Sequence, residues 1–147
     1  MDGMLTGLRH RLDRALRRME EQHRQLREIN DALDGAVASG VPGDIERWLG
    51  RFAEALTSHF ELEESVVFPA LHGMTASLQP QIRELEHDHG SFLERLRGLV
   101  EAGSPGGGST LIDALAGLRQ RLRDHEGVEE RLVERALGAA DSSASLG

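Results

Sequence analysis

The chain contains no cysteine, no tyrosine and no lysine among its 147 residues, and aromatic residues make up only 3% of it. Without cysteine, the sequence excludes disulfides, thiolate metal sites and thiol nucleophiles. Any metal ion would therefore have to be held by nitrogen and oxygen ligands. The few aromatic residues and the lack of sustained period-2 alternation also argue against β-strands.

The balance of charge is acidic. All 17 basic residues are arginines, and 25 acidic residues bring the formal net charge to -8. Because such a protein is repelled by phosphate backbones, we expect no nucleic-acid partner. The N-terminus lacks the apolar run of a signal peptide, and no apolar stretch approaches the length of a membrane span. We therefore expect a cytoplasmic protein without a membrane partner, whose protein partner and oligomeric state stay open.

Runs of glycine, proline and small polar residues divide the chain into four segments of about 25 to 30 residues each. Within each segment, apolar residues recur at the spacing of three and four that keeps side chains on one face of a helix. Helices joined by short loops predict an all-α fold, an antiparallel up-down-up-down four-helix bundle. The bundle is assigned to residues 1–138 and a flexible C-terminal tail to residues 139–147. The dividing runs are ASGVPG at 38–43, HGMTAS at 72–77 and GSPGGGS at 103–109.

Local signals refine the helix boundaries. Asp44 is expected to cap the second helix, and Thr110 with Asp113 forms a capping-box-like pattern for the fourth. Pro69 is expected to kink or end the second helix near its last turn.

Each apolar stripe carries one histidine, and two stripes carry a glutamate one turn later. His23 lies about 17 residues before the middle of the first loop and His59 about 19 after it, a mismatch of a few ångströms at about 1.5 Å per residue. The same comparison around the other two loops predicts that all four histidines share one layer. Parallel second and fourth helices would place the two glutamates side by side. These residues are His23, His59, Glu63, His89, His125 and Glu129.

Energetics favour a metal site at this layer. An ionised carboxylate in an apolar core costs several kcal/mol unless it is neutralised, and no arginine lies on these stripes to pair with one. Two cations would satisfy both carboxylates as bridging ligands, with neutral imidazoles in the terminal positions. Such ligands suit iron, manganese or zinc, and composition does not choose among them. The alternatives are a polar layer that only fixes helix register and a plain helical interaction domain.

The pattern of these residues resembles the hemerythrin-like, or HHE cation-binding, family. That family has a histidine on the first helix, H-x-x-x-E on the second, a histidine on the third, and H-x-x-x-E or a near variant on the fourth. The likeness covers about residues 10–138 and includes the run EESVVFPAL. It implies two iron ions in a non-haem di-iron centre, oxo- or hydroxo-bridged. The ions would be bound by the four stripe histidines and bridged by the two glutamates: His23, His59, His89, His125, Glu63 and Glu129.

The resemblance also implies a choice of functions. Family members bind dioxygen, nitric oxide or peroxide for sensing, storage or detoxification, and the alternative is a di-iron enzyme with peroxidase, catalase-like or Fe(II)-oxidising activity. Oxygen carriers of the family have H-x-x-x-H on the third helix, where this chain has Leu85 one turn before His89. Their fourth-helix carboxylate is an aspartate five residues after the histidine, whereas Glu129 is four after His125. Glu86 or water is expected in place of the missing ligand.

Overall fold

Helices account for every element in residues 2–102 and 108–146, the part of the chain that this computed structural model describes. The all-α fold class is therefore confirmed. Four long helical stretches form, because the second runs without a break through a π-helical turn into a further helix. Most of the predicted connector at 103–109 lies outside the described residues. The elements are α1 (Asp2–Ser39), α2 (Pro42–Leu62), the π-helical turn (Glu63–Val67), α3 (Phe68–Met74), a 3₁₀ turn (Ala76–Leu78), α4 (Gln79–Ala102) and α5 (Gly108–Leu146).

A very short connection joins α1 to α2. Gly40 has a φ of 71°, a left-handed conformation that glycine adopts without strain, and its N–H donates to Ala36 O at 3.0 Å. Pro42 then begins α2, where its missing N–H costs nothing. The expected cap by Asp44 is wrong: Val41 occupies the N-cap without a side-chain hydrogen bond. Asp44 lies in the first turn, where its charge complements the helix dipole.

The π-helical turn explains how the chain passes Pro69 without ending. The N–H of Phe68 donates to Glu63 O, five residues earlier, and α-helical hydrogen bonding resumes at Phe68. Pro69 thus falls in the first turn of α3, where a proline that lacks an N–H is tolerated. The expected end of the helix at Pro69 is not observed. The hydrogen-bonding pattern changes just before it, in the π-helical turn between Leu62 and Phe68.

The two ends of α5 differ from the expected boundaries. Its described part begins at Gly108, so Thr110 lies inside the helix and is not its N-cap. At the other end the helix continues to Leu146, and residues 139–146 are helical. The flexibility assigned to the tail, residues 139–147, stays a prediction.

The apolar core consists of two clusters separated by the histidine layer. Apart from Phe60, which directly follows His59, the residues of one cluster precede the site histidine on each long helical stretch and those of the other follow it. The first contains Leu12, Ala15, Met19, Leu62, Val67, Phe68, Ala70, Leu71, Leu78, Ile82, Leu85, Leu132 and Ala136. The second contains Leu26, Leu33, Ala36, Ile45, Leu49, Phe52, Leu56, Phe60, Phe92, Leu96, Leu111, Leu115 and Leu118.

A polar contact joins α1 to α5 on the surface beside the second cluster. Arg119 donates from its Nη1 to Asp34 Oδ1 at 2.6 Å and from its Nε to Asn30 Oδ1 at 3.1 Å. This contact fixes the relative position of the two helices at one end of the seam between them. Across residues 2–102 and 108–146, none of the helices has the combination of length and apolar character needed to cross a membrane.

Candidate metal centre

Four helices each contribute one histidine to a single layer. His23 comes from α1, His59 from α2, His89 from α4 and His125 from α5. The Nε2 atoms of His23 and His59 are 3.2 Å apart, and those of His89 and His125 are 3.0 Å apart. Two ligands of one metal ion at about 2.1 Å each, at right angles, are separated by about 3 Å. Both histidine pairs therefore have the spacing of ligands to a common ion.

Glu63 connects the two histidine pairs. Its side chain is completely buried, with Oε1 at 2.5 Å from His59 Nε2 and Oε2 at 3.2 Å from His89 Nε2. Neither oxygen accepts a hydrogen bond of acceptable geometry, although buried carboxylates in proteins normally do. One carboxylate with an oxygen turned to each pair, and no donor aligned with either oxygen, has the arrangement of a bridging ligand.

Glu129 lies on the side of the second pair. It is 5% exposed, its Oε1 contacts His125 Nε2, and the same oxygen is 3.7 Å from His89 Nε2. The carboxyl groups of the two glutamates lie close enough for each to shift the pKa of the other, in agreement with their predicted placement side by side. Single ligand atoms from Glu63, His89, His125 and Glu129 all lie within 4.8 Å of one another, a group that could hold one cation.

The outer nitrogens of three of these histidines face hydrogen-bond acceptors. His59 Nδ1 donates to Gln22 Oε1 at 2.9 Å, and His89 Nδ1 donates to Glu64 Oε1 at 3.0 Å. His125 Nδ1 lies 3.3 Å from Asp88 Oδ2. A proton held on Nδ1 leaves the lone pair of Nε2 directed into the layer, which is the tautomer a metal ligand needs.

Sequence reasoning did not find these acceptors. Gln22 and Asp88 each immediately precede a stripe histidine, and Glu64 immediately follows Glu63. Each acts on the histidine of the next helix along the chain and not on its own neighbour. Their position next to a stripe residue was the one feature of the sequence that could have indicated these acceptors. Which histidine each acceptor contacts depends on how the helices pack.

Burial prevents the two carboxyl groups from ionising together. Burial, and next the neighbouring carboxyl group of Glu129, raises the pKa of Glu63 to about 12. Burial also raises the pKa of Glu129, but the neighbouring Glu63, His125 and His89 side chains lower it by more and hold it below its ordinary value. In the absence of a cation, the pair therefore keeps a proton on Glu63 at neutral pH.

The histidines respond to the same surroundings. Burial, and next the neighbouring His23, lowers the pKa of His59 to about 4, so this imidazole is neutral and able to bind a metal. Burial lowers the pKa of His125 as well, but the adjacent Glu129 and Asp88 carboxylates raise it by more, and the net shift is upward. A metal ion would take the place of the protons that hold this cluster together.

Aromatic rings enclose the second histidine pair. Phe60 stacks on His89 with ring centroids 3.8 Å apart and an interplanar angle of 8°, and Phe68 lies 5.6 Å from the same imidazole. Phe92 meets His125 edge-on at 5.3 Å. These rings hold the imidazole planes in place and keep water away from this half of the layer.

The position that carries a further histidine in oxygen carriers is apolar in this chain. Leu85 is 2% exposed and belongs to the first cluster, whereas Glu86 is exposed and lies away from the layer. Glu86 therefore lies outside the buried part of the layer, and the replacement of the missing ligand by Glu86 or by water stays a prediction. The three remaining histidines, His10, His72 and His87, are also exposed.

The other half of the layer opens toward solvent between α1 and α5. His23 is 26% exposed, and its Nε2 lies 3.8 Å from Oε1 of Glu126, whose side chain is 38% exposed. Two cavities of about 300 and 550 Å³ are lined by both of these residues. The smaller cavity also reaches Glu129. A small molecule or an ion could therefore reach the layer from this side.

Comparison with known proteins agrees with this geometry. Residues 14–137 match the family model described as the hemerythrin HHE cation binding domain. The match confirms the family that the pattern of histidines and glutamates resembles. No curated protein and no solved structure matches the chain.

Proposed function

Because this chain belongs to the hemerythrin HHE cation-binding family, we propose that it is a non-haem di-iron protein. Its centre would bind dioxygen, nitric oxide or peroxide for sensing, storage or detoxification. The proposed ligands are the six residues of the buried layer: His23, His59, Glu63, His89, His125 and Glu129.

The observation that carries this proposal is the convergence of lone pairs at the second histidine pair. His89 and His125 direct their outer Nδ1 atoms to carboxylates, so each Nε2 presents a lone pair to the other at 3.0 Å. Glu63 adds two buried oxygens without aligned donors. Such a group is repulsive by itself and becomes favourable around cations. The residues therefore fit a metal centre.

Each part of the layer has a separate task in this proposal. Glu63 contacts a histidine of each pair and would hold both ions, and Gln22, Glu64 and Asp88 would orient the imidazoles through their Nδ1 atoms. The rings of Phe60 and Phe68 exclude water from the second pair. Iron bound here would supply redox chemistry and an exchangeable position for a small ligand. The nitrogen and oxygen donors also suit manganese and zinc, and we propose iron because the family resemblance implies it.

We also propose that the helices alternate in direction as an up-down-up-down bundle. The composition of the two apolar clusters supports this arrangement. In the first cluster, residues before the site histidine on α1 and on the 3₁₀ turn and α4 join residues after it on α5 and on the stretch from α2 to α3. The second cluster shows the opposite pattern, apart from Phe60, which directly follows His59. Connections as short as Gly40 and Val41 also favour antiparallel neighbours.

The test of the proposed function is metal content after anaerobic loading with Fe(II), together with an absorption spectrum before and after exposure to oxygen. We expect two iron ions per chain, and a spectrum that changes when oxygen, nitric oxide or azide is added. The double variant His59→Leu/His125→Leu replaces one imidazole of each pair by an apolar side chain, and it should lose the iron. A wild-type chain that retains well under one iron ion after loading would overturn the proposal.

A catalytic role is the second candidate, and the open side of the layer favours it. His23 lines two cavities that lead to solvent, so a substrate such as hydrogen peroxide could reach the centre and leave again. Steady turnover of hydrogen peroxide, or sustained oxidation of Fe(II), that disappears in Glu63→Ala would support this role. A stable adduct without turnover would support binding and sensing instead.

A further inference from the structure

The two halves of the histidine layer differ in their carboxylates and in their exposure. The half formed by His89 and His125 has both Glu63 and Glu129 within contact distance, and all four residues are at most 5% exposed. The half formed by His23 and His59 is in contact with the other oxygen of Glu63, and its His23 is 26% exposed. Glu129 makes its close contacts with the half formed by His89 and His125. Among the six predicted ligands, no second carboxylate is in comparable contact with His23 and His59.

Glu126 occupies the corresponding place on the open half. It lies on α5 directly after His125 and three residues before Glu129, and its Oε1 is 3.8 Å from His23 Nε2. That separation is too long for a hydrogen bond. Two donors bound to one ion at about 2.1 Å each are between about 3 and 4.2 Å apart, depending on the angle between them. The distance from Glu126 to His23 therefore suits two ligands of a shared ion.

We propose that Glu126 is a further carboxylate ligand, bound to the metal ion held by His23 and His59. This inference rests on the proposed function and adds to it. Glu126 gives the open half the carboxylate that Glu129 gives the closed half, so that each ion receives two imidazoles, one oxygen of Glu63 and one carboxylate of its own. Glu126 is 38% exposed and, like His23, lines both cavities, so a molecule arriving between α1 and α5 could reach it.

Neighbouring acidic residues provide a matched control. Glu130 is one turn from Glu126 on the same helix and lines the same two cavities, but it is exposed and is not in contact with the histidines of the layer among the described ion pairs. A general attraction of cations to an acidic groove would involve both glutamates equally. Coordination would involve Glu126 alone.

The experiment is an anaerobic titration with Fe(II), and in parallel with Co(II), of wild type, Glu126→Gln and Glu130→Gln. For wild type and Glu130→Gln we expect two equivalents bound. For Glu126→Gln we expect the first equivalent to be unchanged and the second to bind at least about tenfold more weakly. The visible absorption of bound Co(II) reports its coordination number, and it should change for the second equivalent only in Glu126→Gln.

The outcomes separate this inference from the proposed function. If wild type binds no metal, the proposed function fails and the role of Glu126 fails with it. If wild type binds two ions and Glu126→Gln matches it in affinity and in the Co(II) spectrum, only the role of Glu126 is overturned. Equal weakening in Glu126→Gln and Glu130→Gln would also overturn it, in favour of non-specific attraction. Circular dichroism of the metal-free variants verifies that each is folded, and Glu126→Asp should restore part of the affinity if a carboxylate is what the site needs.

Discussion

His89 and His125 face each other through Nε2 atoms 3.0 Å apart while their outer nitrogens are directed to Glu64 and Asp88. In a metal-free core this arrangement places two lone pairs against each other unless a proton is present between them. Burial lowers the pKa of His125, but the Glu129 and Asp88 carboxylates raise it by more, so they favour the protonated ring. The layer is therefore organised for positive charge, from protons or from metal ions.

Thermal stability should depend on metal. Saturating a site at a hundred times its dissociation constant stabilises a protein by about 2.7 kcal/mol, which for this size raises Tm by roughly 5 to 10 °C. We expect that gain on adding Fe(II) anaerobically and its loss with a chelator. The variant His87→Leu, at an exposed histidine, should behave like wild type. An unchanged Tm in the presence of metal and of chelator would instead indicate a plain helical bundle.

Asp88 should act on metal binding through His125. The change Asp88→Ala removes the acceptor of the His125 Nδ1 proton, so the ring loses its fixed tautomer and orientation. We expect metal affinity to fall by about 10- to 100-fold, measured by competition with a chromophoric chelator. Asp124→Ala is the matched control, because Asp124 immediately precedes His125 but accepts a hydrogen bond from Gln120 on the surface. Similar losses in both variants would contradict the orienting role.

Glu63 should make the metal-free protein less stable as pH rises. Its pKa is raised to about 12 in the folded state, whereas an unfolded glutamate has an ordinary pKa of about 4.3. The stability that the neutral carboxyl group contributes is therefore fully present below about pH 4.3. It is lost progressively as pH rises toward the pKa of Glu63 in the folded state. Glu63→Gln keeps the shape and removes the proton, so its stability should depend less on pH.

Urea denaturation of the metal-free proteins between pH 5 and pH 9 measures this difference. Wild type should lose stability relative to Glu63→Gln across the interval, and Glu63→Gln should no longer bind two metal ions. His59, with its pKa lowered to about 4, acts in the opposite direction, since its contribution is lost as pH falls from its ordinary value toward 4. That contribution changes only below the ordinary histidine pKa of about 6.5, so the comparison between pH 7 and pH 9 is free of it. Parallel pH profiles would show that Glu63 does not carry the effect.

Leu85→His tests whether the layer can accept a further imidazole. Leu85 is 2% exposed and one turn before His89, so a histidine there would be buried. In the metal-free protein we expect a loss of about 2 to 4 kcal/mol, because a leucine is removed from the core and a polar group is buried. Metal should recover more stability in this variant than in wild type if the new imidazole binds. The measurement is the free energy of unfolding with and without metal, and equal recovery in both proteins would exclude coordination by residue 85.

Much of the site could be predicted because it depends on helical periodicity. The 3-and-4 spacing identified which residues point inward, and the distances along the chain to the loops placed His23, His59, His89 and His125 at one depth. The loops are short, so counting residues from them gives a usable axial position. The same reasoning brought Glu63 and Glu129 together.

Contacts between side chains on different helices could not be predicted in this way. Gln22, Glu64 and Asp88 reach histidines on other helices, and their partners depend on rotation and rotamers that a stripe does not define. Glu126, for which we propose a ligand role, falls off the stripe because it lies one residue from His125, about 100° around the helix axis. The π-helical turn at Glu63–Val67 was also missed, because Pro69 alone indicates an interruption but not how the hydrogen bonds rearrange around it.

The separation of the apolar core into two clusters has a consequence for the cooperativity of unfolding. Each cluster has side chains from all four long helical stretches, and the polar layer lies between them. We expect repulsion within the layer to weaken the coupling between the clusters when metal is absent, so that one end of the bundle could open while the other remains folded. Metal bound by all four histidines would instead join the four helices at their midpoints. The centre would then determine whether the molecule unfolds as one unit or as two.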